Sequence, residues 1–261
     1  MKTIATSAAA LAAQTALGEA IPPSQYPERE YYEIRKYHLQ NGQQTKLTQS
    51  YFADALIPAL NKLGLSPIGA FSLDIGPETP TYYLLIPSAS LDALANAELR
   101  LAADPAFLKA AAPFWSAPAT NPSFLRIESS LYSAFTGRPK LRLPPPSAMQ
   151  GKRMFQLRTY ESPSPAAHVR KVEMFNNGEY EIFERAGFWP IFYGDALIGS
   201  HLPQLTYMLS FTDLADMAAK WASFQNDPAW KKLSADPHYA YEPIVSSITN
   251  LVLSPLACSQ I

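Results

Sequence analysis

The chain has 261 residues, 21 of them basic and 22 acidic, for a formal net charge of −1. That balance gives no electrostatic reason for a nucleic-acid partner. Apolar residues make up 48% and charged residues 16%, which suits a folded core and excludes a largely disordered chain. The single cysteine, Cys258, excludes an intrachain disulfide and a thiolate metal cluster.

Residues 1–28 open with Lys2, continue through an Ala/Thr/Leu-rich stretch from Ile4 to Leu17, and end in small residues from Gly18 to Ala20. This order resembles a secretory signal and predicts export to a periplasm or the exterior. Without a true signal, the chain would be cytoplasmic. No apolar run in the chain reaches the length of a membrane-spanning helix, so an integral membrane protein is not expected.

Beyond the leader, the elements come in two rounds. An alternating strand at 31–38 is followed by an amphipathic helix carrying Leu47, Tyr51, Ala55, Leu56, Leu60 and Leu63. Pro58 should kink that helix, and Gly64 sits where a left-handed cap belongs. Strands at 66–74 and 80–86, a helix at 90–102, an Asp104-Pro105 helix start and a strand at 124–132 complete the round. Arg138-Pro139 and Pro144-Pro145-Pro146 then stiffen a linker, 137–151. The second round repeats the order, with strands at 153–160, 188–195, 205–211 and 244–253. Its first helix carries Val169, Val172, Phe175, Ile182, Phe183 and Ala186, Gly187 caps that helix, and Asp227-Pro228 follows the helix at 213–225.

The rounds are copies. Tyr32-Glu33-Ile34-Arg35-Lys36-Tyr37 matches Phe155-Gln156-Leu157-Arg158-Thr159-Tyr160 at an offset of 123. Leu63 to Ile68 matches Ala186 to Ile191, and Ala103 to Lys109 matches Asn226 to Lys232, at the same offset. Thr81-Tyr82-Tyr83-Leu84 and Thr206-Tyr207-Met208-Leu209 match at 125, which reads as a two-residue slip. The chain is therefore read as two modules, 29–136 and 152–261. The order β-α-β-β-α-β is ferredoxin-like. Two such antiparallel sheets, each bare on one face, should pack face to face into one pseudo-twofold αβ-barrel, an α+β fold.

Glu33-Ile34-Arg35-Lys36-Tyr37-His38 and Gln156-Leu157-Arg158-Thr159-Tyr160, a glycine ending the first helix, and the aromatic-bearing Asp104-Pro105-Ala106-Phe107 and Asp227-Pro228-Ala229-Trp230 together resemble the NIPSNAP family. The resemblance spans about residues 31–258 as tandem copies. It implies the dimeric αβ-barrel fold but no agreed activity. The Gly-Lys that usually follows the first strand is Gly42-Gln43 here and Ser164-Pro165 in the second copy, and Glu161 takes the place of His38.

Strand alternation sends Tyr32, Ile34, Phe155 and Leu157 toward the helices. It sends Arg35, Tyr37, Arg158 and Tyr160 into the barrel, with Glu33 and Gln156. There the arginine forks and tyrosine hydroxyls could hold an anionic or quinone-like small molecule. The competing and favoured reading pairs Arg35 with Glu33 or Glu128 and leaves Tyr37 packed. His38 is a candidate haem ligand or base, though an exposed loop position is the simpler expectation. His168 should be solvated, His201 should sit in a loop, and His238 should pack beside Tyr239. No metal motif, phosphate loop, dinucleotide fingerprint or nucleophile elbow occurs, so no cofactor is expected. The functional reading is a small-molecule-binding or protein-interaction barrel of unassigned activity, with homo-oligomer formation left open. The alternative is a cofactor-independent monooxygenase acting on a small aromatic or anionic compound.

Overall fold

The computed structural model describes residues 28–145 and 152–261. The signal-like segment and the end of the linker lie outside the described residues. The strands are β1 (Tyr31–His38), β2 (Gly69–Ile75), β3 (Thr81–Ser88), β4 (Arg126–Ala134), β5 (Met154–Glu161), β6 (Trp189–Ile198), β7 (Gln204–Phe211) and β8 (Ser247–Pro255). They form one closed antiparallel barrel in the order β1-β3-β2-β8-β5-β7-β6-β4. The expected αβ-barrel is present, as one closed eight-stranded barrel rather than two separate sheets packed face to face. The two sets of four strands are hydrogen-bonded at both seams, β2 to β8 and β4 to β6, so no strand edge is left open. At the second seam, Ala134 faces Gly194, where an added Cβ would lie 2.9 Å from Tyr132 Cβ. Only a glycine lets these two strands approach so closely.

Each half lays its helices on the outside of the barrel. The first half has α1 (Gln43–Tyr51), α2 (Ile57–Lys62), α3 (Leu91–Ala95), α4 (Ala97–Ala102) and α5 (Pro105–Trp115). The second has α6 (Pro165–Met174), α7 (Tyr180–Arg185), α8 (Leu214–Asn226) and α9 (Pro228–Ser234). Asp104 and Asp227 cap α5 and α9 through the amides of Ala106 and Ala229, as the Asp-Pro starts predicted. Gly64 and Gly187, both at φ +80°, end α2 and α7 in the left-handed conformation. The first helix of each half is not kinked by proline alone. A π-turn interrupts it at Phe52–Leu56 and again at Phe175–Glu179, although only the first copy has a proline just beyond. A π-turn inserts an extra residue and re-aims the side chains that follow it.

Three apolar cores result. One fills the lumen with side chains from all eight strands, among them Tyr32, Phe71, Tyr132, Phe155, Phe192 and Leu253. The other two lie between the barrel wall and the helices of each half. Burying one such aromatic side chain contributes about 2–3 kcal/mol. The ladders also correct the repeat. Arg35 faces Leu84 across β1–β3, and Arg158 faces Tyr207 across β5–β7, so the offset stays at 123 and the two-residue slip is not there.

Candidate functional site

The facing of β1 and β5 is the reverse of the sequence-based expectation. Tyr32, Ile34, Phe155 and Leu157 belong to the lumen core. Tyr37 and Tyr160 belong to the two helix-facing cores. The reason is apolar volume. A closed barrel of this size fills with side chains, and the flat aromatic and aliphatic positions fill it without a buried charge. Arg35, Tyr37, Arg158 and Tyr160 therefore do not converge on one cavity. They lie on opposite sides of the barrel, beneath separate helices.

In the first half, the arginine is fully committed to carboxylates. Arg35 Nε and Nη2 donate to Glu33 at 2.6 and 3.0 Å, and Nη1 pairs with Glu98 of α4. Of the two partners expected from sequence, Glu33 is present, and Glu98 replaces Glu128. Tyr37 packs edge-on to Phe52 and Phe114, and burial pushes its phenol up to about 12. The Arg35 guanidinium is thus already held by two carboxylates, where an anionic ligand would have to compete with them.

His38 is corrected as well. It is wholly buried at the end of β1, not exposed in a loop. Its Nδ1 lies 2.8 Å from Glu78 and 3.1 Å from Arg126, and its Nε2 lies 3.0 Å from Glu128. Both ring nitrogens face charged side chains, so neither is presented to an iron or a substrate. His168 is likewise not solvated. It is buried, with Nε2 2.7 Å from Asp195. His201 does lie in the loop before β7, and His238 stands beside the Tyr239 ring within 3.4 Å of Glu173.

The second half is built differently at the same positions. Gln156 replaces Glu33 and Trp221 replaces Glu98. The guanidinium of Arg158 stacks 4.3 Å from the centre of the Trp221 ring and donates to Tyr160 Oη at 2.9 Å. Trp221 Nε1 donates to Gln156 Oε1 at 2.8 Å. Tyr160 and Tyr207 share a hydroxyl–hydroxyl bond of 2.9 Å, and burial holds the Tyr207 phenol well above its ordinary range. Between β5 and the α8–α9 pair lies a half-open cavity of about 410 Å³, lined by these residues with Trp230, Asn250 and Glu179.

Glu179 is the residue that sequence reasoning missed. It closes the π-turn, and its partner Lys171 sits on α6, with the ammonium donating to Glu179 Oε2 at 2.7 Å. The two side chains are 0% and 2% exposed. The ammonium also lies 4.5 Å from the centre of the Phe175 ring. Burial raises the Glu179 carboxyl above the usual carboxylate range, against the pull of Lys171 and Arg158. The turn works because Gly178 adopts φ +130°, which side chains rarely tolerate. The signal was in the repeat. At an offset of 123, Leu56 becomes Glu179 and Thr48 becomes Lys171, two charges on a helix face that is otherwise apolar.

A second, smaller cavity of about 310 Å³ occupies one end of the lumen. Lys36, Glu128, Thr159, Glu161 and Thr206 ring it, and His201 sits at its rim. Lys36 and Glu128 pair there at 3.5 Å, both within reach of solvent. Among the described residues no cluster of three metal-ligating side chains occurs, and no helix is long and apolar enough to cross a membrane.

Comparison with known proteins agrees with this architecture. The NIPSNAP family profile matches residues 32–123 and 155–260. No curated protein matches the chain. Among solved structures, a candidate monooxygenase from Fusobacterium nucleatum is 11% identical, with a TM-score of 0.56, covering 87% of this chain and 93% of its own. A candidate monooxygenase from Lactobacillus acidophilus is 10% identical, with a TM-score of 0.55, over 87% and 94%. A NIPSNAP-like domain protein from Burkholderia xenovorans is 21% identical, with a TM-score of 0.36, over 40% of this chain and 86% of its own.

Proposed function

The chain belongs to the NIPSNAP family, as a tandem pair, and on that premise we propose that it is a small-molecule-binding αβ-barrel whose ligand site is the second copy alone. The ligand is a compact aromatic compound with a carboxylate or phenol head. The observation that carries this reading is the 410 Å³ cavity beside Arg158, Tyr160, Trp221 and Glu179, set against the first copy, where Arg35 is held by Glu33 and Glu98. Its size falls in the range of small-ligand sites, and its walls combine aromatic faces with a few convergent polar groups. Trp221 and Trp230 supply the stacking surface, and the Arg158 fork suits a planar acid.

Two modules at 29–136 and 152–261, joined by 137–151, are part of this reading. The repeat offset of 123 supports that division. Export rests on the N-terminal composition alone and is tested by fractionating cells that express the full chain.

Isothermal titration with phenylpyruvate and 4-hydroxybenzoate tests the site. One equivalent should bind per chain. Asn250→Trp, which fills the cavity, should abolish the heat, while Lys36→Met in the lumen should leave it intact. Equal loss in both variants would refute the assignment to the second copy. A second reading, a cofactor-independent oxygenase acting in the same cavity, draws on the fold shared with the two candidate monooxygenases. Oxygen uptake on mixing protein with a bound phenol would favour it.

A further inference from the structure

We propose that the second-copy cavity is a proton-transfer site, in which Glu179 exchanges a proton with an enolisable carbon of an aromatic 2-oxo acid. The inference rests on the ligand reading above and deepens it. Its basis is where the fold has placed one carboxylate. Glu179 lines the cavity, yet its carboxyl is all but removed from solvent. It arrives there through a π-turn whose Gly178 carries a backbone conformation costly to other residues. The first copy interrupts its helix at the matching place without the non-helical Asn177–Gly178 kink and with Leu56 where Glu179 stands, so the interruption itself does not require a charge.

A buried ion pair of this kind does little for stability, because desolvation offsets the attraction. What it does supply is a carboxylate held in one place by Lys171, facing a cavity and less acidic than one in water. Those are the attributes of a general base. The same wall carries Arg158 and Tyr160, N–H and O–H groups suited to oxygen that gains negative charge, with Tyr207 bonded to the Tyr160 hydroxyl from behind.

The step balances without a co-reactant. The Glu179 carboxylate takes a proton from the carbon beside the keto group. The C–H electron pair becomes the C=C bond, and the carbonyl π pair moves onto oxygen, giving the enolate. Return of the proton to carbon regenerates the ketone, and its delivery to oxygen gives the enol. Nothing is oxidised or reduced.

Phenylpyruvate is the probe, incubated with the full chain in D2O while NMR follows deuterium at its methylene carbon. Titration calorimetry measures binding in parallel. The expected result is protein-dependent uptake that favours one of the two methylene hydrogens, falling ~100-fold or more in Glu179→Gln. Lys171→Met/Glu179→Leu, which replaces the pair with apolar side chains, keeps the protein folded if the glutamine variant fails and should bind without exchange. Binding with uptake no faster than in protein-free buffer would overturn the inference and leave the ligand site standing. Uptake in both variants equal to the parent would overturn it too. No binding at all would overturn the ligand reading and this inference with it.

Discussion

Removing Lys171 alone should be among the most damaging single substitutions available in this protein. Lys171→Met is close to isosteric along the stem, so it keeps most of the packing and deletes the ammonium. What remains is Glu179, 2% exposed, with its 2.7 Å partner gone. Stranding one member of a buried pair costs about 3–5 kcal/mol. Replacing both members, in Lys171→Met/Glu179→Leu, should restore the loss and add up to about 4 kcal/mol over the parent. Urea unfolding of the parent, the two single variants and the double variant closes the cycle. The pH dependence gives an independent check on sign. Burial raises the folded-state pKa of Glu179. The folded protein therefore holds that proton more tightly than the unfolded chain does. Its contribution to stability is fully present below the ordinary carboxylate pKa and is lost as pH rises through the raised value. Lys171→Met removes a neighbour that lowers that value, so its deficit should shrink in acid and grow toward neutral pH. A deficit under about 1 kcal/mol, or one that does not change with pH, would refute the argument.

Other consequences are simpler to read. Arg35→Met should cost about 1–3 kcal/mol by leaving the nearly buried Glu33 without its guanidinium, Glu98 being half-exposed and able to turn to water, while the folded fraction still binds phenylpyruvate; a thermal melt and a titration on the same sample measure both. Gly178→Ala should cost about 1–3 kcal/mol from backbone conformation alone, since its new methyl would touch only Leu233 at 3.9 Å, and crystallography should find Glu179 displaced. Gly194→Val should disrupt the β4–β6 seam by driving a side chain into Tyr132, and it should appear as faster amide exchange in both strands.

Much of the architecture was readable because it is written twice. The first strands, the Asp-Pro caps and the paired glycines each had a local physical cause and appear where that cause put them, while the match of the third strands was off by two residues. The facing of β1 was misread because alternation fixes which residues share a face but not which face looks inward. Tyr32 and Phe155 belong in the lumen since a closed barrel must be filled, a global condition invisible in an eight-residue window. His38 and His168 were misplaced for a related reason. Their carboxylate neighbours, Glu78, Glu128 and Asp195, come from elements distant in the chain. Glu179 was hidden by the π-turn, which breaks the helical period that would have placed its side chain.

The seam between β2 and β8 bears on how the chain is made. Ala70 donates its amide to Ser259, 189 positions later, and Leu256 returns an amide bond to Ala70. As the polypeptide leaves the ribosome, β1, β2, β3 and β4 can pair with one another, but both outer edges of that sheet and its lumen-facing aromatic side chains stay uncovered until the second half follows. Long-range strand pairing of this kind is slow and exposes the intermediate to aggregation. The half-made protein is therefore the species most in need of a chaperone, and the rate at which residues 152–255 are synthesised sets how long that need lasts.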